Sequence, residues 1–524
     1  MNISKLNSLI DRILKQTLGI DRIEDDKLID IIEYVADVCS ATLNTPPIKT
    51  KNWVKFIIKE KYKKKIFLYD NDSKFNKLIV DIPLTKKQCT IDYKDLINHS
   101  HDYPHHKFKE DIYKNRSSIV DHIKTIPQFE QKSEAWLKQR TECITATAVA
   151  VVLDESVYEH PIKIFLDKCG RGEPFTENEH VHHGKKYEEI ATMYYSFRNN
   201  VKVAEYGLLQ HEKTRFIGAS PDGICEKYCY DGQGLSTLVG RLLEIKCPKV
   251  RKIKTTGKLD GDICPHYYYL QCQAQMYVTG LTECDFLQCE INEYNSWEEY
   301  IEDTKNNFYG LSKKSGLEKG CLIQLLPKLM INDADTKMCL YHGKYIYPPK
   351  LHMTFEEIKE WIANETINFY KTETAKDYVI DRVIYWRLDK VACDLIEYES
   401  DRMEQWIPIM EQFWEYVIFY RQHPDKLDKL VKYISENGGI DKWEDTKELF
   451  GLIHKEYIKE NPKSKFKVQL YNTDSEYTKK VKLERKKKKE MKERYARYRG
   501  NYGNNNDNDG IEDNYGVGRY RFVD

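Results

Sequence analysis

Asp222, Glu244 and Lys246 are the residues of this chain whose types and order could do chemistry. Asp222 stands in Ser220-Pro221-Asp222-Gly223, just past the run Arg215–Ile217, and Glu244 and Lys246 close a second apolar run, Leu238–Ile245. A Gly-rich polar loop separates the runs. Strand side chains alternate between faces, so Glu244 and Lys246 share one face and Ile245 points into the opposite layer. If the two runs pair, Asp222 lies close to both. Two carboxylates that close repel each other unless a divalent cation sits between them. An oxygen cage beside a lysine suits Mg²⁺ and phosphate chemistry. Each piece also has an ordinary reading. Ser-Pro-Asp-Gly is a good turn, and Glu-x-Lys is commonly a solvated strand face. The ordered pair of motifs is what argues for a site.

Asp…Glu-x-Lys is the PD-(D/E)XK nuclease signature, and further segments occur around it in order. They are Ala135-Trp136-Leu137-Lys138-Gln139-Arg140 with Ile144-Thr145-Ala146-Thr147, then Gly184-Lys185-Lys186-Tyr187-Glu188, Ala219 to Gly223, Glu244 to Pro248, and Tyr268-Tyr269-Leu270-Gln271-Cys272-Gln273. Together they resemble the phage lambda exonuclease and YqaJ-like viral recombinase family over about residues 125–300. The resemblance implies catalytic roles for Glu188, Asp222, Glu244, Lys246 and Gln271. It implies a metal held by Asp222, Glu244, the Ile245 backbone carbonyl and Glu188. It also implies that Arg140 and Thr147 bind the phosphate at a DNA 5′ end, with Thr147 standing where the family usually has Ser.

The elements that must position these groups follow from the pattern. Thr145-Ala146-Thr147 reads as a helix start whose hydroxyls could cap it or bind an anion. Residues 179–198 read as a helix with Tyr187, Ile190, Ala191 and Tyr194 on one face. The resemblance selects Glu188 over its neighbour Glu189. Val201–Leu209 reads as a strand, Glu226–Gly240 as a hairpin tip, and Phe286–Ile291 as a further strand. The basic loop Lys249, Arg251, Lys252 and Lys254 could hold DNA phosphates. Residues 264–280 read as a helix on which Tyr268, Gln271, Gln275 and Val278 share a face. The polar members suggest a site-lining surface, and Gln273 falls on another side.

The whole chain has 524 residues, too many for one ordinary core. Residues 1–118 read as a mostly helical accessory unit. Leu6, Ile10, Ile13 and Leu14 form one helical stripe, and Leu28, Ile31, Ile32 and Val35 another. The basic, aromatic Lys51–Lys65 stretch could bind phosphate or be a solvated helix face. The histidine run from His99 to His106 fits no zinc motif and reads as a linker. Residues 119–422 read as the nuclease domain, with an insertion at about 304–380 that is partly loop. Trp386, Trp406, Phe413 and Trp414 read as closing helices. Residues 423–480 read as a helical appendage. Residues 481–524 read as a basic run followed by a disordered Gly/Asn-rich tail.

Charged residues make up 32% of the chain and the net charge is zero, so a nucleic-acid surface has to be local. No apolar run reaches membrane-spanning length and no signal-peptide pattern opens the chain, which predicts a soluble intracellular protein, cytoplasmic or nuclear, with no membrane partner. The composition suits an AT-rich genome, such as that of a large DNA virus, where a viral factory would be the setting. The fourteen cysteines include no C-x-x-C pair and are expected to be buried free thiols. Some related nucleases hold an iron–sulfur cluster, but Cys321, Cys339 and Cys393 are too dispersed for that.

The expected fold is α/β: a restriction-endonuclease-like core, a mixed central sheet flanked by helices, with helical additions at both ends. The expected function is a Mg²⁺-dependent deoxyribonuclease using one or two ions, with Mn²⁺ as a possible substitute. The resemblance implies 5′→3′ exonuclease action on double-stranded DNA ends, a possible single-strand annealing partner and a possible homo-oligomer. A structure- or sequence-specific endonuclease on the same core is the first alternative. A noncatalytic DNA-binding or assembly protein is the second.

Overall fold

The computed structural model describes residues 110–501 apart from 131–132, 174–176, 231–235, 306–307, 332–335, 441–445 and 475, together with a few earlier positions. Among those earlier ones, Ile10, Ile32, Val35 and Val54 are helical and buried. The rest of both early stripes, most of Lys51–Lys65, the histidine run and the Gly/Asn-rich tail lie outside the described residues.

A seven-stranded mixed sheet forms the centre. Its strands are β2 (Val203–Ala204), β5 (Gly223–Cys225), β6 (Leu242–Lys246), β7 (Glu283–Glu293), β10 (Lys319–Pro327), β11 (Lys344–Ile346) and β12 (Tyr378–Glu397). Their order across the sheet is β11-β10-β12-β7-β6-β5-β2. β6 and β7 run parallel and the other neighbours antiparallel. A second, three-stranded sheet has β4 (Ile217–Ala219) between β1 (Ile144–Thr145), parallel to it, and β3 (Leu209–Gln210), antiparallel. β8 (Thr304–Lys305) and β9 (Phe308–Ser312) make a small ribbon.

The helices are α1 (Glu110–Thr125), α2 (Glu134–Thr141), α3 (Pro161–Lys168), α4 (Glu179–Asn199), α5 (His266–Thr279), α6 (Phe355–Phe369), α7 (Ser400–Gln422), α8 (Pro424–Glu436), α9 (Thr446–Glu460) and α10 (Glu476–Asn501), with short helical turns between them. This is the α/β arrangement expected, a mixed sheet flanked by helices. None of the described helices is long and apolar enough to cross a membrane.

Two helices sandwich the middle of the sheet, and strand parity decides which residues meet which. Leu243 and Ile245 of β6, with Leu287, Cys289 and Ile291 of β7, pack with Tyr187, Ile190, Ala191 and Tyr194 of α4. The alternate residues Leu242, Cys284 and Phe286 pack with Tyr269, Cys272 and Met276 of α5. α4 starts where the Asn178 side chain accepts from the N–H groups of His180 and Val181, at 3.0 and 3.1 Å. α5 stops at Gly280, whose φ of 72° lies in the left-handed region. All the described cysteines are buried free thiols.

Several expectations are corrected. The Arg215–Ile217 run, ending as β4, does not pair with β6; the residues after Asp222 do, as β5. Val201–Leu209 is not one strand: β2 and β3 belong to different sheets. The segment at 304–380 is less loop than expected, because β10 and β11 extend the main sheet and α6 begins with a Thr354–Glu357 capping box. Trp386 lies not on a helix but in the 20-residue strand β12. Its indole is fully buried opposite Gly320, where a Cβ would come within 2.7 Å of the ring. Trp406, Phe413 and Trp414 do lie on a helix, α7.

Candidate active site

Asp222 sits where the chain crosses from one sheet to the other. β4 ends at Ala219 and β5 begins at Gly223, so the acid occupies the short passage between them. The absence of a side chain at Gly223 matters, since a Cβ there would lie 2.2 Å from Cγ1 of Val203 on the neighbouring strand. Oδ2 of Asp222 accepts a 2.6 Å hydrogen bond from the backbone N–H of Ile245. That bond fastens the carboxylate to the middle residue of Glu244-Ile245-Lys246.

Glu244 is fully buried. A carboxylate taken that far from water costs several kcal/mol unless it is paired and hydrogen-bonded. Here Lys246 pairs with Oε1. Gln271 donates to the same oxygen at 2.8 Å, and Gln275 donates to Oε2 at 2.7 Å. The two glutamines are four residues apart, one turn of α5, so both reach β6 from one face. Lys246 Nζ lies 4.7 Å from the centroid of the Tyr268 ring on the same helix. Glu244 and Lys246 therefore do share a face, as alternation requires.

Glu188 approaches from α4. Burial, together with Glu244 and Glu188, holds the Asp222 carboxyl well above the usual carboxylate range, against the opposing pull of Lys246 and the Ile245 N–H. Glu188 also acts on Cys247, beside Lys246. The neighbouring Glu189 interacts with Glu205 instead. Burial works to depress the Lys246 ammonium, but Glu244 and Asp222 overcome it and raise it well above its ordinary value. Among the described residues no three His, Cys, Asp or Glu side chains form a ready-made metal cage.

Gln271 and Gln273 separate as the helix phase requires. Gln273 donates to the carbonyl of Glu397 and accepts from the N–H of Glu399, away from the carboxylates. Arg140 lies in the last turn of α2, its guanidinium 4.6 Å from the Trp136 ring centroid. Thr147 is buried, with its hydroxyl 3.0 Å from that of Thr145. Thr145 makes no side-chain cap, so that reading of the hydroxyl fails. Thr145 pairs in register with Gly218, so these hydroxyls stand beside the strand that delivers Asp222. In the basic loop, Lys249 pairs with Glu179 and Arg251 donates to Gln288, so part of its charge is committed within the protein. On α4, His182 meets Tyr345 of β11 at 2.8 Å.

Residues 135–282 match the model of the YqaJ-like viral recombinase domain. The chain is also 48% identical over 529 residues to the "Uncharacterized protein R354" of Acanthamoeba polyphaga mimivirus, covering 91% of this chain and 95% of that protein. The chain belongs to one family with that mimivirus protein, and its residues 135–282 carry a YqaJ-like viral recombinase domain. Among solved structures, an alkaline exonuclease from Laribacter hongkongensis, LHK-Exo, aligns with this YqaJ-like chain at a TM-score of 0.30 and 16% identity. That alignment spans 57% of this chain and 98% of that one. LHK-Exo in complex with dAMP aligns at the same TM-score with 17% identity, over 57% and 100%.

Gln275 and Tyr268 join the candidate site from the helix face on which the sequence places them with Gln271, although neither was assigned a catalytic or metal-binding role. The signal for Gln275 was available in its spacing from Gln271. Nothing in the sequence marks Tyr268 apart from Tyr267 and Tyr269 except its position on the Gln271 face.

Proposed function

We propose that this protein is a Mg²⁺-dependent deoxyribonuclease of the PD-(D/E)XK type, a 5′→3′ exonuclease working on duplex DNA ends in recombination or DNA processing. The observation that carries the reading is the hydrogen bond from the Ile245 N–H to Asp222, which joins the acid to the Glu-x-Lys strand.

The residues fit a hard divalent cation. The donors are oxygens, and Asp222 lies within electrostatic reach of the Glu244 and Glu188 carboxylates as well as of the Lys246 ammonium. Negative charge is therefore in excess in a buried place, and an added cation relieves it. Asp222 and Glu244, with the Ile245 carbonyl, would hold one or two Mg²⁺ or Mn²⁺ ions, and Glu188 would complete the site directly or through water. When bound, such an ion makes a water more acidic and offsets charge on the phosphoryl oxygens.

The protein's own groups do the positioning. Lys246, held between Glu244 and the Tyr268 ring, places a positive charge where it orients water and phosphate. Gln271 gives one amide N–H to Glu244, which positions that carboxylate, and its second N–H would orient the scissile phosphate or water. Arg140 and Thr147 grip the 5′-phosphate of the end. A time course on linear duplexes with 5′-phosphate, 5′-hydroxyl and hairpin ends, beside a covalently closed circle, tests the reading. Degradation that needs a free phosphorylated end supports it. Cutting of the closed circle turns the assignment to an endonuclease on the same core.

A further inference from the structure

The chain is neutral overall, yet residues 479–499 carry twelve Lys and Arg against three Glu. A charge run of this kind is ordinarily a solvated helix. Here the start of the helix that holds it, α10, is docked. Thr478, Val481 and Arg485 lie at helical spacing, and the first two are buried. Nη1 of Arg485 pairs with the buried Asp154 at 2.6 Å, while its other nitrogens donate to the carbonyls of Ser156 and Glu159 at 2.7 and 3.0 Å. The ring of Tyr477 lies 3.7 Å from that of His266.

The docking points are the segments next to the candidate site. Asp154 follows the turn that begins at Thr145–Thr147. His266 opens α5, the helix of Gln271 and Gln275, and is held there by Asp260 and Glu155 at 2.6 and 2.9 Å. A run of rings leads inward from α10. Tyr158 stands between Ser156 and Glu159, whose carbonyls accept from Arg485; it lies 5.3 Å from Tyr267, Tyr267 lies 4.2 Å from Tyr268, and Tyr268 carries Lys246 on its face.

Away from the docked face, α10 presents exposed Lys480 and Lys487 on its far side and exposed Lys486 on its flank. We infer that α10 is a fixed arm for double-stranded DNA, docked through Tyr477, Val481 and Arg485 so that its outward lysines hold the phosphate backbone leading to Lys246. The inference rests on the nuclease reading for its partner, but not for its test. Anchoring is what distinguishes the arm from a free charged tail. Lysines on a pinned helix meet consecutive phosphates without first having to be ordered.

The test uses the full chain with K480Q, K486Q and K487Q combined, leaving the docking residues intact. Binding to a short blunt linear duplex is measured with metal chelated, across a salt series. Turnover of thymidine 5′-p-nitrophenyl phosphate with Mg²⁺ is measured in parallel. The arm predicts duplex affinity weaker by about tenfold or more at low salt and a log–log salt slope shallower by roughly 2–3, about one for each phosphate that is no longer neutralised. Turnover of the small diester stays at the wild-type rate. An unchanged affinity and slope overturn the inference. A shallower slope in a protein that never cleaves DNA keeps the arm and sinks the nuclease reading instead, so the two failures are told apart.

Discussion

Gln275 donates to Oε2 of Glu244 at 2.7 Å, on the side of the carboxylate opposite the 2.8 Å bond from Gln271. The acid is thus clamped from one helix by two amides one turn apart. Gln275→Leu leaves a buried carboxylate oxygen without its donor, which costs about 1–3 kcal/mol in urea unfolding. Nuclease turnover is expected to fall by about tenfold or more, the equivalent of roughly 1.4 kcal/mol at the transition state. Gln273→Leu, whose amide serves the backbone of Glu397 instead, is expected to change stability with little effect on turnover of the folded enzyme.

The 5′-end grip makes a prediction of its own. Arg140 is held over Trp136, and Thr147 stands beside the strand that leads to Asp222. Replacing Arg140 by Ala or Thr147 by Val removes a hydrogen bond to a charged group, about 1.5–3 kcal/mol. The initial rate on 5′-phosphorylated ends should drop by about tenfold or more, and the rate on 5′-hydroxyl ends should barely move. Equal losses on both ends argue against the grip.

Acid should unpick a buried pair remote from the chemistry. Burial alone would push Glu318 up, but the Arg198 guanidinium overrides it and, with His352, holds the carboxyl down to about 2 against an ordinary value of 4.5. A depressed carboxylate stabilises the folded state fully above its unfolded value and loses that contribution as pH falls through the folded one. The pair's stabilisation is therefore complete above about pH 4.5 and fades toward pH 2. Glu318→Gln should cost about 3–5 kcal/mol at neutral pH, because it removes the negative charge paired with the buried Arg198. The gap from wild type should narrow as unfolding is measured at successively lower pH below 4.5. A gap that widens toward acid contradicts the assignment.

How much of this was legible beforehand differs from residue to residue, for physical reasons. The shared face of Glu244 and Lys246, the separation of Gln271 from Gln273 and the helix bearing Glu188 all follow from short-range periodicity, which one segment carries by itself, while the choice of Gln271 and of Glu188 as site residues came from the family resemblance. The partner of β6 was not legible. Ser220-Pro221 carries the chain out of one sheet before Gly223 starts a strand in another, and pairing between distant segments leaves little local trace. Trp386 was misread because β12 changes parity. Ile384, Trp386 and Leu388 point to the α4 side, the register shifts between Leu388 and Lys390, and Val391 and Cys393 then take over that face. A bulge of this kind turns a period of two into an irregular spacing that imitates a helix. The sheet strands within 304–380 were hidden for the same long-range reason, since β10 finds its partner β12 some sixty residues along the chain.

The most direct measurement of the central claim is the degradation rate of a 5′-phosphorylated linear duplex with Mg²⁺, by wild type and by Asp222→Asn. The substitution keeps the size of the side chain at the crossing and removes its negative charge. The account predicts that wild type degrades the duplex, stops when the metal is chelated, and loses at least about a hundredfold in rate on the substitution, with the fold intact by circular dichroism. A folded Asp222→Asn protein that digests the duplex as fast as wild type contradicts it.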